Sequence, residues 1–146
     1  MKVLVADDDP ISRHLLEIGL SNSGYRVVLA ADGEEAIQLL HGPDWPRLLV
    51  LDWMMPGLDG IEVCRSIRKG PQEPYLYVIL LTGNGQPGEI QEGWEAGAND
   101  YITKPFELPE LQARVHVGKR IIELQDELAL ALAFELLRGT DRHMLV

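Results

Sequence analysis

Asp7, Asp8, Asp52, Thr82 and Lys104 carry the side chains of this sequence best suited to chemistry, and each stands at or just after the end of a run that reads as a short strand, apolar in the first three cases. Residues 3–6 lead into Asp7-Asp8-Asp9-Pro10, 48–51 into Asp52, 75–81 into Thr82, and 99–103 into Lys104. Short apolar runs closed by Pro, Gly or Asp read as strands buried on both faces. If these strands are parallel, three carboxylates, a hydroxyl and an ammonium meet at the carboxyl edge of one sheet, the edge where ligands gather in open α/β folds. Crowded carboxylates repel one another, and a divalent cation relieves them. Mg²⁺ suits such a site because it takes hard oxygen ligands and keeps several waters. A cation beside Asp52 would screen an incoming phosphoryl group, and Asp carboxylates act as covalent nucleophiles in phosphoryl transfer. The charge on the transferred group is spread over three oxygens, which Mg²⁺, Lys104 and the Thr82 hydroxyl could contact separately.

The elements that must position these groups alternate. The first strand is followed by a helix from Pro10, with Asp9 as its N-cap and Ile11, Leu15, Leu16, Ile18 and Leu20 as one apolar stripe; Ser21-Asn22-Ser23-Gly24 stops it. A second strand over 25–30 leads through Asp32-Gly33 to a helix over 34–41. The central strand follows the loop at 42–46. A third helix over 58–68 offers Ile61, Val63, Cys64 and Ile67 to the interior and ends at Gly70-Pro71. A modest fourth helix is predicted over 89–95, weakened by Gly93 and preceded by a loose Gly-rich segment, and a long helix begins at Glu107. Five strands alternating with helices argue for a doubly wound parallel sheet covered on both faces.

The composition narrows the function further. With 146 residues, 23 acidic and 13 basic side chains and a formal net charge of −10, the chain is expected to be one soluble domain that does not bind nucleic acid, which is held through clustered Lys and Arg. Cys64 is the sole cysteine, which fits a reducing cytoplasm. No signal peptide or apolar run of membrane-spanning length is found. His14, His41 and His116 are read as helical surface or packing residues without metal spacing, and Gly83, Gly85 and Gly88 lack the Gly-Lys-Ser/Thr ending of a phosphate loop.

Four segments closely resemble the receiver domain of two-component response regulators: Val5-Ala6-Asp7-Asp8-Asp9-Pro10, Leu51-Asp52-Trp53-Met54-Met55-Pro56-Gly57-Leu58-Asp59-Gly60, Leu81-Thr82-Gly83, and Gly97-Ala98-Asn99-Asp100-Tyr101-Ile102-Thr103-Lys104-Pro105-Phe106. They occur in order and at matching spacing over residues 1 to about 118. The resemblance implies a flavodoxin-like strand order 2-1-3-4-5. It makes Asp52 the phosphoacceptor, supplied by a sensor histidine kinase, a phosphotransfer protein or a small phosphodonor. Asp8, Asp52 and the Met54 backbone carbonyl would bind Mg²⁺ directly and Asp7 through water. Lys104 would pair with Asp52 and then with the phosphoryl group. Thr82 would move to hydrogen-bond that group, with Tyr101 swinging inward in step. Pro105 would follow a cis peptide bond. Met54 and Asn84 occupy the positions that tune phosphoryl lifetime in the family, and the apolar Met54 implies slow self-dephosphorylation.

The receiver reading covers residues 1–118 and leaves 119–146 as a helical connector. The long helix is predicted to reach about Arg138, where Gly139 breaks it. Val117, Ile121, Leu124, Leu128 and Ala131 fall at the 4-3-4-3 spacing of a coiled-coil seam, so the expected partner is a second copy or a following output domain. Residues 113–128 resemble the connectors that precede diguanylate cyclase domains, and 134–143 loosely resemble that domain's opening. The apolar Met144-Leu145-Val146 reads as a piece of something longer. The readings in play are a phosphorylation switch controlling dimerisation or an output partner, the regulatory part of a diguanylate cyclase or other output enzyme, and a non-phosphorylated scaffold. The switch itself is not expected to be an enzyme, beyond assisting its own phosphorylation and dephosphorylation.

Overall fold

The computed structural model describes residues 1–41, 44–71, 73–83 and 87–144. Strands β1 (Lys2–Ala6), β2 (Arg26–Ala30), β3 (Leu48–Asp52), β4 (Tyr77–Thr82) and β5 (Asp100–Thr103) alternate with helices α1 (Pro10–Asn22), α2 (Gly33–Gln38), α3 (Gly60–Lys69), α4 (Pro87–Glu95) and α5 (Leu108–Met144). The strands form one parallel sheet in the order β2-β1-β3-β4-β5. This is the doubly wound, flavodoxin-like architecture.

The two-residue repeat of a strand sorts the apolar side chains into two cores. Leu4, Ala6, Leu49, Leu51, Val78 and Leu80 face Ala36 of α2 and Ile61, Val63 and Cys64 of α3. Val3, Val5, Leu48, Val50, Ile79 and Leu81 face Leu16 and Leu20 of α1 and Leu111, Val115 and Ile122 of α5. Every residue of β3 and β4 is buried, which is why both read as unbroken apolar runs rather than as alternating ones.

Local signals set the helix starts. Asp9 accepts from Ile11 N at 3.2 Å, with Pro10 in the first turn, where its missing N–H costs nothing. Asp32 accepts from Glu35 N at 2.8 Å. Asp59 and Glu62 form a reciprocal capping box at the start of α3.

The structure corrects the sequence reading at several points. The expected stripe on α1 divides: Leu16 and Leu20 are buried, whereas Ile11, Leu15 and Ile18 are 73%, 61% and 44% exposed. The reason is helical geometry: at about 100° per residue, Ile11, Leu15 and Ile18 lie on one side of α1 and Leu16 and Leu20 on nearly the opposite side, and only the latter side meets the sheet. Helix α2 stops at Gln38, so His41 is not helical; Leu40 leaves the helical path and is buried in the first core. Helix α4 begins at Pro87, ahead of Glu89. Gly139 does not end α5, which continues to Met144. A lone Gly costs a helix only about 1 kcal/mol, too little to stop one this long.

The heptad assignment on α5 also shifts where the helix still touches the domain. Ile122, one residue off the expected seam, is the buried side chain, while Ile121 only packs at the core's margin. Beyond it Leu124 and Leu128 are 56% and 54% exposed. Arg47 binds Asp126 through both guanidinium nitrogens at 2.7 and 3.2 Å, tying the helix to the loop that leads into β3.

Candidate phosphoacceptor and metal site

Adjacent strand ends build the site. Asp7 follows β1 directly and is fully buried; its Oδ1 accepts from Asp9 N at 3.0 Å, and its backbone carbonyl accepts from Arg13 Nη1 at 2.8 Å. Asp8 is exposed. Asp52 is the last residue of β3 and is 7% exposed. One carboxylate oxygen from each of Asp7, Asp8 and Asp52 lies within 4.8 Å of the others. It is the sole group of this kind among the described residues.

Lys104 arrives from the next strand but one. Its backbone N donates to Thr82 O at 2.7 Å, and the Lys104–Pro105 peptide bond is cis. Nζ lies 3.1 Å from Asp52 Oδ1 and 3.9 Å from Asp7 Oδ2. The longer separation is an ion pair but not a hydrogen bond, so the buried Asp7 Oδ2 has no hydrogen-bond partner among the described residues. Burial pushes the Asp52 carboxyl above its usual range; Lys104 opposes the rise and the charge of Asp7 adds to it. The cluster therefore lacks positive charge, and its donors are hard oxygens. A buried oxygen with no donor, among three converging carboxylates, fits Mg²⁺.

The remaining predicted residues lie around this centre. Thr82 ends β4 and is 3% exposed. Its hydroxyl donates to Glu89 Oε2 of α4 at 3.2 Å. Tyr101 on β5 is half-buried against the first core and meets the exposed Trp94 ring edge-on, with centroids 5.7 Å apart. The Met54 side chain is 73% exposed in the loop after Asp52. Asn84 lies outside the described residues. Glu89 was not legible as a site residue, since it sits seven positions after Thr82 in no motif. Only the tertiary placement of α4 beside the end of β4 brings the two together.

The model of the response regulator receiver domain family matches residues 3–116. The chain is 44% identical over 127 residues to the response regulator MprA of Mycobacterium ulcerans, covering 87% of this chain and 53% of that protein. It is 47% identical over 119 residues to the probable transcriptional regulator ycf27 of Guillardia theta, covering 82% of this chain and 45% of that one. It thus spans about half the length of these curated relatives. Among solved structures, the receiver domain of the Francisella response regulator 1452 superposes with a TM-score of 0.74 at 38% identity, covering 82% of this chain and 98% of that one. A probable two-component system response regulator/GGDEF domain protein superposes with a TM-score of 0.78 at 32% identity, covering 84% of this chain and 50% of that one.

Proposed function

The chain belongs to the response regulator receiver domain family, and from that premise we propose that it is a phosphorylation switch with Asp52 as acceptor. The observation that carries this reading is the convergence of Asp7, Asp8 and Asp52 within 4.8 Å with Lys104 Nζ 3.1 Å from Asp52. An Asp52 carboxylate oxygen attacks phosphorus of a phosphohistidine or a small acyl phosphate. The new P–O bond forms as the bond to the leaving nitrogen or oxygen breaks, and the leaving group departs with the electron pair. Lys104 faces the charge that develops, and the Thr82 hydroxyl turns to donate to a phosphoryl oxygen. Asp8, Asp52 and the Met54 carbonyl would hold Mg²⁺ directly, and Asp7 through water. When bound, the ion supplies neutralisation of the crowded carboxylates and the incoming phosphoryl charge. The apolar, exposed Met54 offers no hydrogen bond to an attacking water, so the phosphorylated form is long-lived.

In this reading residues 1–118 are the receiver and 119–146 the connector. Phosphorylation adds about −1.5 to −2 charge at Asp52 and favours a pre-existing arrangement of α4, β5 and the start of α5, with Tyr101 turning inward. Helix α5 carries that change outward along the exposed seam residues Leu124, Leu128 and Ala131, through which two copies pair. The kinase or phosphotransfer donor is a cytoplasmic partner. Among the described residues no helix is long and apolar enough to cross a membrane. The net charge of −10 argues against nucleic-acid contact by this chain itself, although curated relatives bear the name of transcriptional regulators.

A second reading has an observation in its favour. The structural neighbour named as a response regulator/GGDEF domain protein is twice the length of the aligned part, and α5 resembles a connector to a diguanylate cyclase. On that reading the switch regulates an attached enzyme. The test of the shared premise is intact mass after incubation with acetyl phosphate and Mg²⁺. Wild type should gain one phosphoryl group and Asp52→Asn none. Absence of any gain in wild type would leave the non-phosphorylated scaffold.

A further inference from the structure

We propose that Glu89 is a positioning residue that holds Thr82 in the resting arrangement and must release it before the phosphoryl group can be bound; this rests on the phosphorylation reading above. The Thr82 hydroxyl is 3.2 Å from Glu89 Oε2. An ionised carboxylate only accepts, so the hydroxyl is the donor, and it has one proton to give. A proton held by Glu89 is not available to a phosphoryl oxygen. The two hydrogen bonds therefore exclude each other.

The surroundings make this a choice between two arrangements rather than a gradual shift. Thr82 and Glu89 share the wall of a small cavity with Trp53, Gly93, Trp94 and Tyr101. Its volume of about 10 Å³ is at the limit for one water and holds no phenol ring. Tyr101 cannot enter without displacing that wall. Glu89 lies in the first turn of α4, so its hydrogen bond ties the end of β4 to the start of α4. Phosphorylation supplies the bias: a phosphoryl group adjoining Thr82 repels the Glu89 carboxylate and competes for the same proton. The two states thus differ in interaction energy at named atoms, as a population shift requires. Thr82 release, Tyr101 entry and α4 displacement become one event.

The test is the rate of Asp52 phosphorylation by acetyl phosphate with Mg²⁺, read by intact mass, in wild type, Glu89→Ala, Glu89→Gln, Thr82→Ala and the Glu89→Ala/Thr82→Ala double variant. Glu89→Ala should raise the rate about threefold to tenfold by populating the released state. Glu89→Gln, which still accepts but carries no charge, should raise it less, and it keeps the test intact if the alanine variant folds poorly. In the Thr82→Ala background the gain from Glu89→Ala should shrink to the small part that loss of the carboxylate charge gives by itself, an outcome that a general loosening of α4 would not produce. Unchanged rates for both Glu89 variants, or the same gain with and without the Thr82 hydroxyl, would overturn the assignment of Glu89 alone. No phosphorylation of wild type would instead overturn the reading on which it rests.

Discussion

Lys104 Nζ sits 3.1 Å from Asp52 Oδ1, an ion pair between the residue after β5 and the last residue of β3. The amine is 31% exposed and the carboxylate 11%. One ammonium thus answers a buried Asp52 while standing 3.9 Å from a second buried carboxylate, Asp7. The site is left with more negative charge than its partners among the described residues neutralise.

Mg²⁺ should stabilise the fold. A ligand bound only by the native state adds about 2.7 kcal/mol at a hundred times its Kd. Thermal melts with and without the ion measure this as a rise in Tm. Asp8→Asn, a change at an exposed side chain, should remove most of the rise and leave the metal-free Tm nearly unchanged. An undiminished rise in that variant would exclude Asp8 as a ligand.

Without Mg²⁺, Asp52→Asn should melt at a higher temperature than wild type near neutral pH. The native carboxyl titrates above its usual range, chiefly because it is buried. The native state therefore binds more protons than the unfolded chain. Stability falls as pH rises from the ordinary Asp value of about 3.9 through the raised native one, and the deficit persists at neutral pH. The difference between variant and wild type should shrink as the pH is lowered to that ordinary value. Equal melting temperatures across the whole range would show that Lys104 fully offsets the burial.

Gly60→Ala should destabilise the protein by about 1–3 kcal/mol through overpacking and slow phosphorylation of Asp52. A Cβ there would stand 2.5 Å from the Asp52 carbonyl oxygen and 3.1 Å from Trp53 Cα. Both are backbone atoms and cannot rotate aside. Gly88→Ala serves as the control, because none of the described residues lies within 4 Å of its Cβ position; it should be neutral or stabilise α4 by up to about 1 kcal/mol. Urea titrations of the two variants separate the outcomes.

Cys64 should not react with thiol reagents at pH 8 in the folded protein. It is fully buried, its Sγ donates to Ala96 O at 3.4 Å, and burial pushes the thiol up to about 11. Thiolate is the reactive form. Labelling should appear only in denaturant. The same shift means that stability is lost as pH rises from the ordinary thiol value of about 8.5 toward 11, with no effect at pH 7. Rapid labelling of the native protein would show that α3 opens readily from the sheet.

Much of the fold could be read before any coordinates. Residues 48–51 announced a strand covered on both faces, and β3 is buried throughout. Asp9-Pro10 marked a helix start through chemistry confined to one turn, whereas the third helix, expected from residue 58, begins at Gly60 behind the Asp59 cap. The α1 residues do not form one stripe, because at about 100° per residue Ile11, Leu15 and Ile18 lie almost opposite Leu16 and Leu20; the first three remain exposed and the other two are buried. Gly139 reads as a helix end from its local propensity of about 1 kcal/mol, which the helix on either side of it outweighs.

The sequence by itself determined the strand-and-helix alternation, the caps, and the presence of acidic, hydroxyl and amine groups at strand ends, since each depends on neighbours within a few residues. Tertiary structure alone decided that Asp7, Asp8 and Asp52 approach within 4.8 Å, that Lys104 reaches Asp52, and that the Thr82 hydroxyl turns toward Glu89. Those distances follow from strand register and crossover packing. They are set by burying two apolar cores at once, a constraint on the whole chain that no single segment contains.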